Sequence, residues 1–207
     1  MKNNKFLMVV YSLTFIFVLV GSTFAYFTQT ANSGEGALGV KSGSVGISLE
    51  ITPLYTDNKL IPLNDEEVPA ENKHDDVMTA YENECVDVRG FGACEAYTIT
   101  VTNLGPELVY NGTIKFSTNE IEHLKYLLLD DEDNIVVNKT VVVPNTEQTL
   151  SSINPLAANE VKTYRLLIWV PNYNYNQDEY DGGGSFNAIV TYRSAGNTEI
   201  TGSISGN

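Results

Sequence analysis

Two cysteines, two histidines and twenty-six carboxylates are the residues that could do chemistry in this chain. Cys85 and Cys94 are separated by Val-Asp-Val-Arg-Gly-Phe-Gly-Ala, and Arg89-Gly90 together with Gly92 favours a turn between them. That spacing suits a disulfide closing a small hairpin-like loop, which chain entropy makes worth about 2–3 kcal/mol. Metal binding is the rival use, but two cysteines alone do not make a zinc site. Neither cysteine has an obvious histidine partner that would make it a nucleophile.

The histidines offer little. His74 stands beside Asp75 and Asp76 in an acidic stretch, where a solvated loop histidine accounts for it as well as a weak metal ligand would. His123 follows Glu122 in a segment that reads as structural. There is no His-Glu-x-x-His pair, no Gly-x-Ser-x-Gly elbow, no P-loop and no dinucleotide fingerprint. Asp130-Asp131-Glu132-Asp133-Asn134 lacks the central glycine and terminal glutamate of an EF-hand loop, and a hairpin turn explains it. Asp178, Glu179 and Asp181, just before Gly182-Gly183-Gly184, form a second oxygen-rich loop that could take calcium weakly. Carboxylate pairs for glycoside hydrolysis abound, but nothing selects one. An enzyme is therefore not expected, and no cofactor is called for.

These residues must be positioned by strands. Ile47, Leu49 and Ile51 alternate with Ser48 and Glu50; Tyr97, Ile99 and Val101 alternate with Thr98, Thr100 and Thr102; Tyr110, Gly112, Ile114 and Phe116 alternate again. Period two with one apolar side is the pattern of a half-buried strand. A strand from Lys125 and a second over residues 135–143 flank the polar turn 130–134 as a hairpin. Residues 150–153 read as a short edge strand, 186–192 as a strand, and 198–205 as a last one. Residues 164–170 are apolar on both sides at their centre, which predicts a central strand with Trp169 in the core. Residues 56–84 differ: they hold Pro62 and Pro69 and nine acids, and read as a long solvated surface insertion that could make contacts. Seven to nine short strands without a long amphipathic helix predict an all-β, jelly-roll-like antiparallel β-sandwich over 45–207.

Net charge is −14, which disfavours nucleic acid and anionic lipid as partners. The N-terminus has Lys2 and Lys5, an apolar run over residues 6–20, and then Gly21-Ser22-Thr23-Phe24-Ala25. That is the layout of a signal peptide, 1–25, with Thr23 and Ala25 at −3 and −1 and Tyr26 the first mature residue. A signal-peptide helix retained as a membrane anchor is the alternative, and an uncleaved N-terminus is the only membrane contact expected. Cleavage removes two lysines and no acid, taking the net charge from −14 to −16. Residues 26–44, rich in Gly, Ser, Ala and Thr, read as a flexible lead-in with short extended pieces. No Leu-Pro-x-Thr-Gly sorting motif lies near the C-terminus, so sortase attachment is not expected.

Gly21-Ser22-Thr23-Phe24-Ala25-Tyr26-Phe27 resembles the processing region of the TasA/camelysin family of Gram-positive bacteria. Gly43-Ser44-Val45-Gly46-Ile47-Ser48-Leu49, Tyr97-Thr98-Ile99-Thr100-Val101-Thr102-Asn103, and Tyr164-Arg165-Leu166-Leu167-Ile168-Trp169 with Gly184-Ser185-Phe186 are similar to its core strands. The resemblance implies export through a SipW-type signal peptidase and a place in the extracellular biofilm matrix or on the cell surface. It also implies self-association, or association with related matrix proteins, into fibres. In such fibres the mature N-terminal segment adds a strand to a neighbour. The donor segment here would be Tyr26, Phe27, Thr28, Gln29, Thr30 and Ala31, with Phe27 the side chain most suited to burial. The metallopeptidase activity implied by the camelysin label finds no zinc triad here. A monomeric surface adhesion or binding module is the alternative.

Overall fold

The computed structural model describes residues 40–44, 46–56, 60–63, 76–87, 89–119, 123–172, 185–194 and 198–206. The signal-peptide helix, its cleavage residues Thr23, Ala25 and Tyr26, the donor segment, His74 and the loop with Asp178, Glu179 and Asp181 lie outside them.

Ten strands are described: β1 Val40–Ser44, β2 Ile47–Tyr55, β3 Glu95–Asn103, β4 Leu108–Asn119, β5 Lys125–Leu129, β6 Ile135–Val141, β7 Gln148–Leu156, β8 Val161–Trp169, β9 Phe186–Ser194 and β10 Glu199–Gly206. One short helix, α1, spans Val77–Glu82. The strands form a six-stranded sheet in the order β1-β2-β3-β8-β5-β6 and a four-stranded sheet in the order β10-β9-β4-β7. Every strand pairing is antiparallel. The chain passes from one sheet to the other at β3–β4, β4–β5, β6–β7, β7–β8 and β8–β9, giving a jelly-roll-like antiparallel β-sandwich.

The main core is built by the alternation the sequence displays. Ile47, Leu49 and Ile51 of β2 meet Ile99 and Val101 of β3, Ile114 and Phe116 of β4, and Val190 and Tyr192 of β9. Asn103 pins one end of the sandwich from within. Its Nδ2 donates to the carbonyls of Pro106, Leu156 and Ala157, while its Oδ1 accepts from Gly105 N–H and Tyr110 O–H.

The middle strands are apolar on both faces, and this has a consequence. Leu128 of β5 with Leu166 and Ile168 of β8 point into the sandwich; Leu127, Leu129, Leu167 and Trp169 point out of it. Outward-facing apolar side chains need a cover. It comes from residues 60–63 and 76–84 of the segment expected to be a solvated loop, and for those residues that expectation is corrected here. Leu60 and Leu63, and Val77 and Ala80 of α1, are buried. Leu63, Val77 and Ala80 join Ala93 and the two cysteines in a second hydrophobic cluster over the outer face. Leu63 N–H donates to Val170 C=O and Asn172 N–H to Leu63 C=O, so the cover is stitched to the end of β8. Burial of Leu63 and Val77, at about 1.5–3 kcal/mol each, favours this docking.

Candidate functional site

Two surface features stand out from this frame, and each is positioned by local sequence chemistry. The first is the tip between the cysteines. Cys85 and Cys94 are bonded, with Cα atoms 4.8 Å apart. Val86 and Gly92 form an antiparallel bridge inside the loop, and Ala93 N–H donates to Cys85 C=O. The buried carboxylate of Asp87 ties off the turn: Oδ1 accepts from the N–H groups of Arg89 (2.8 Å) and Phe91 (2.9 Å), and Oδ2 from Arg89 Nε (2.7 Å). Burial by itself would raise the Asp87 carboxyl, but the hydrogen bonds from Phe91 and Arg89 and the Arg89 charge outweigh it and hold it below the ordinary value. The result is a rigid tip carrying a half-exposed Phe91, with the Arg89 guanidinium 5.7 Å from the ring centroid.

The second feature is the β6 edge of the six-stranded sheet. The turn before it is fixed by Asp130, whose Oδ1 accepts from Glu132 N–H (2.9 Å) and Asn134 N–H (2.8 Å). Hydrogen bonds from Asn134 lower the Asp130 carboxyl. Asp133 takes a left-handed φ of 63°, which aspartate tolerates, and pairs with Arg165 of β8. The strand that follows is the most exposed of those whose burial is described along their whole length. Ile135 is 56% exposed, Val136 42%, Val141 52% and Val143, just beyond the strand, 48%. A bulge interrupts it where Thr140 pairs Tyr126 and Val137 pairs Leu128. Within the bulge, Asn138 Oδ1 accepts Lys139 N–H, and Thr140 Oγ1 donates to Asn138 C=O. An apolar edge strand is a template for another strand, and bulges and lysines are the usual guards. The register shifts again between Val137 and Ile135, so these guards cover the first part of the strand and its centre, and the end at Val141 has neither bulge nor lysine.

Among the described residues, no group of three or more His, Cys, Asp or Glu could hold a metal, and no helix is long and apolar enough to cross a membrane. His123 is half-buried ahead of β5, away from either cysteine in the chain. Trp169 is fully buried in the outer cluster. The edge was missed by sequence reading because its residues look like any valine-rich strand; only the strand order puts β6 last in its sheet.

No protein-family model matches this sequence, and no curated protein does. Solved structures of similar architecture include a conjugative transposon lipoprotein from Bacteroides eggerthii, 14% identical, covering 79% of this chain and 99% of that one with a TM-score of 0.37. The PA14 sugar-binding domain from an RTX adhesin is 10% identical, with 84% and 89% covered and a TM-score of 0.34. The collagen-binding subdomain of the Enterococcus faecalis surface protein ACE is 8% identical, with 55% and 85% covered and a TM-score of 0.26. At such identities the likeness is one of β-rich fold alone.

Proposed function

We propose that this chain is an exported, non-enzymatic structural subunit of a bacterial surface or extracellular matrix, which assembles into fibres by strand addition from its mature N-terminal segment. The observation that carries the reading is the β6 edge, with Ile135, Val136, Val141 and Val143 exposed on an otherwise acidic chain. Such an edge is costly to leave open unless a partner strand covers it. Export is supported by the charged, apolar and small-residue order of residues 1–25 and by a disulfide, a bond suited to oxidising compartments. The resemblance of residues 21–27 to the TasA/camelysin processing region points to a Gram-positive source and a SipW-type signal peptidase. The test is negative-stain electron microscopy of the chain beginning at Tyr26 across a range of concentrations. Regular filaments that disappear on deletion of residues 26–31 are expected; monomers at every concentration, under oxidising conditions, would sink the fibre reading.

A monomeric adhesion module is the second reading, favoured by the Arg89–Phe91 tip. A preorganised aromatic and guanidinium pair is the kind of anchor that dominates protein interfaces. In that case Phe91→Ala abolishes surface attachment and leaves the thermal unfolding curve where it was.

A further inference from the structure

The two sheets have four edges between them: β1, β6, β7 and β10. On three of them a side chain occupies backbone groups that an added strand would use. The Tyr97 hydroxyl, shared with Glu95 Oε2 (2.5 Å), lies against Ser205 C=O on β10 (2.9 Å), and the Tyr126 hydroxyl donates to Thr149 C=O on β7 (3.3 Å). Both phenols belong to fully buried core side chains, so neither can leave without opening the sandwich.

The cap on β6 is of another kind. Val142 N–H donates inward to Leu124 C=O (2.9 Å), so the groups of Val141 and Val143 face away from β5. The amide of Gln148 meets them: its Oε1 accepts Val143 N–H (2.9 Å) and its Nε2 donates to Val141 C=O (2.7 Å). One amide that donates to the carbonyl of a residue and accepts from the N–H two residues on makes the same pair of bonds as one residue of an added parallel strand. These bonds lie at the exposed surface, and Gln148 reaches them from the first position of β7.

The geometry points to the β6 edge as the acceptor for the N-terminal segment of a second copy, with the Gln148 amide a displaceable placeholder for the incoming backbone. This rests on the strand-addition reading above and names its site. The occupant fits the edge in two respects. Residues 26–31 carry no charged side chain, so they approach a mature chain of net −16 without repulsion. They begin with Tyr26-Phe27, apolar side chains that match the exposed Val141 and Val143, and six extended residues span about 20 Å, enough to cover that end of β6. Because the placeholder satisfies the edge in the free subunit, assembly has to begin with its displacement, and that sets a threshold on nucleation.

The test uses the full mature chain from Tyr26 and a fluorescent synthetic peptide of residues 26–31. The peptide is expected to bind and to slow hydrogen exchange at the Val143 amide. Gln148→Ala removes the competing amide and raises affinity about tenfold, the factor expected for the loss of one such competing interaction. Val141→Lys, at an exposed position, leaves the fold intact and lowers affinity at least as much. Unchanged exchange at Val143, or equal binding by the Val141→Lys chain, would overturn the assignment of β6. Filaments formed equally well by wild type and Val141→Lys would also overturn it while leaving the fibre reading standing. Peptide binding at β6 without filaments would support the edge and remove the fibre.

Discussion

At Asp87, three hydrogen bonds converge on one buried carboxylate, and the chemistry of a single residue sets the shape of a surface loop. Hydrogen bonds to a charged group contribute about 1.5–3 kcal/mol, so Asp87→Ala is expected to destabilise the fold by that order. The pH dependence follows from the lowered carboxyl. A carboxyl depressed in the folded state stabilises it above the unfolded value, about 3.9, and that contribution fades as pH falls through the folded value. Thermal unfolding of both chains between pH 2 and pH 7 checks this: the gap between them should be full at neutral pH and close in acid. A gap that widened below pH 4 would contradict it. Asn103 is a comparable case at the other end of β3. Asn103→Ala takes the buried amide partner from the Leu156 carbonyl, while the Ala157 carbonyl keeps Glu160 N–H and the Tyr110 hydroxyl keeps Gly46 C=O, so the expected cost is about 1–3 kcal/mol in denaturant unfolding. Sequence reading placed Asn103 at a strand end beside a turn. Of its five side-chain hydrogen bonds, those to Pro106, Gly105 and Tyr110 are local, but the two to Leu156 and Ala157 reach a segment too far along the chain for any local pattern to show.

At the scale of elements, the cover over the outer face is the part of the structure most dependent on the disulfide. The bridge sits in the same cluster as Leu63, Val77, Ala80 and Trp169. Replacing both cysteines by serine is expected to cost about 2–3 kcal/mol. The effect should be local. Amides of residues 60–63 and 76–93 should exchange faster while those of β4 and β9 hold their protection, and the emission of Trp169, the sole tryptophan, should shift to the red as water reaches it. Uniform loss of protection would mean that cover and sandwich unfold as one unit. The double-sided apolar run of β8 foretold that both of its faces are buried, and Trp169 in a central strand was legible for that reason. What buries the second face was not legible. Leu63, Val77 and Ala80 are dispersed among acids and prolines, without the period of a strand or the length of an amphipathic helix.

For the molecule as a whole, charge governs association. A net charge of −14, or −16 after cleavage, makes copies repel at low ionic strength. The Debye length falls from about 30 Å at 0.01 M salt to about 8 Å at 0.15 M, so assembly of the mature chain should start sooner as salt rises. Light scattering at fixed protein concentration reads the lag; a lag that lengthened with salt would argue that attraction between charges, not apolar strand addition, drives association. Most cations on the described surface are already held by the chain's own acids, as in Lys139 with Asp76 and Arg193 with Glu147 and Glu199. That leaves the negative excess to face outward.

The sequence by itself determined the class of fold, because period-two alternation and turn residues are local and sit where the strands are. It also determined the pattern at residues 1–25 that reads as an export signal. Only the tertiary structure decided which strand became an edge, which side chain caps it, and what covers the outer face. Those are pairings between segments distant in the chain, such as Gln148 with Val141 and Val143 across the sheet boundary, or Leu63 against the end of β8. Their energies arise only when the backbone has brought the partners together, and no residue announces such a partner by its own type.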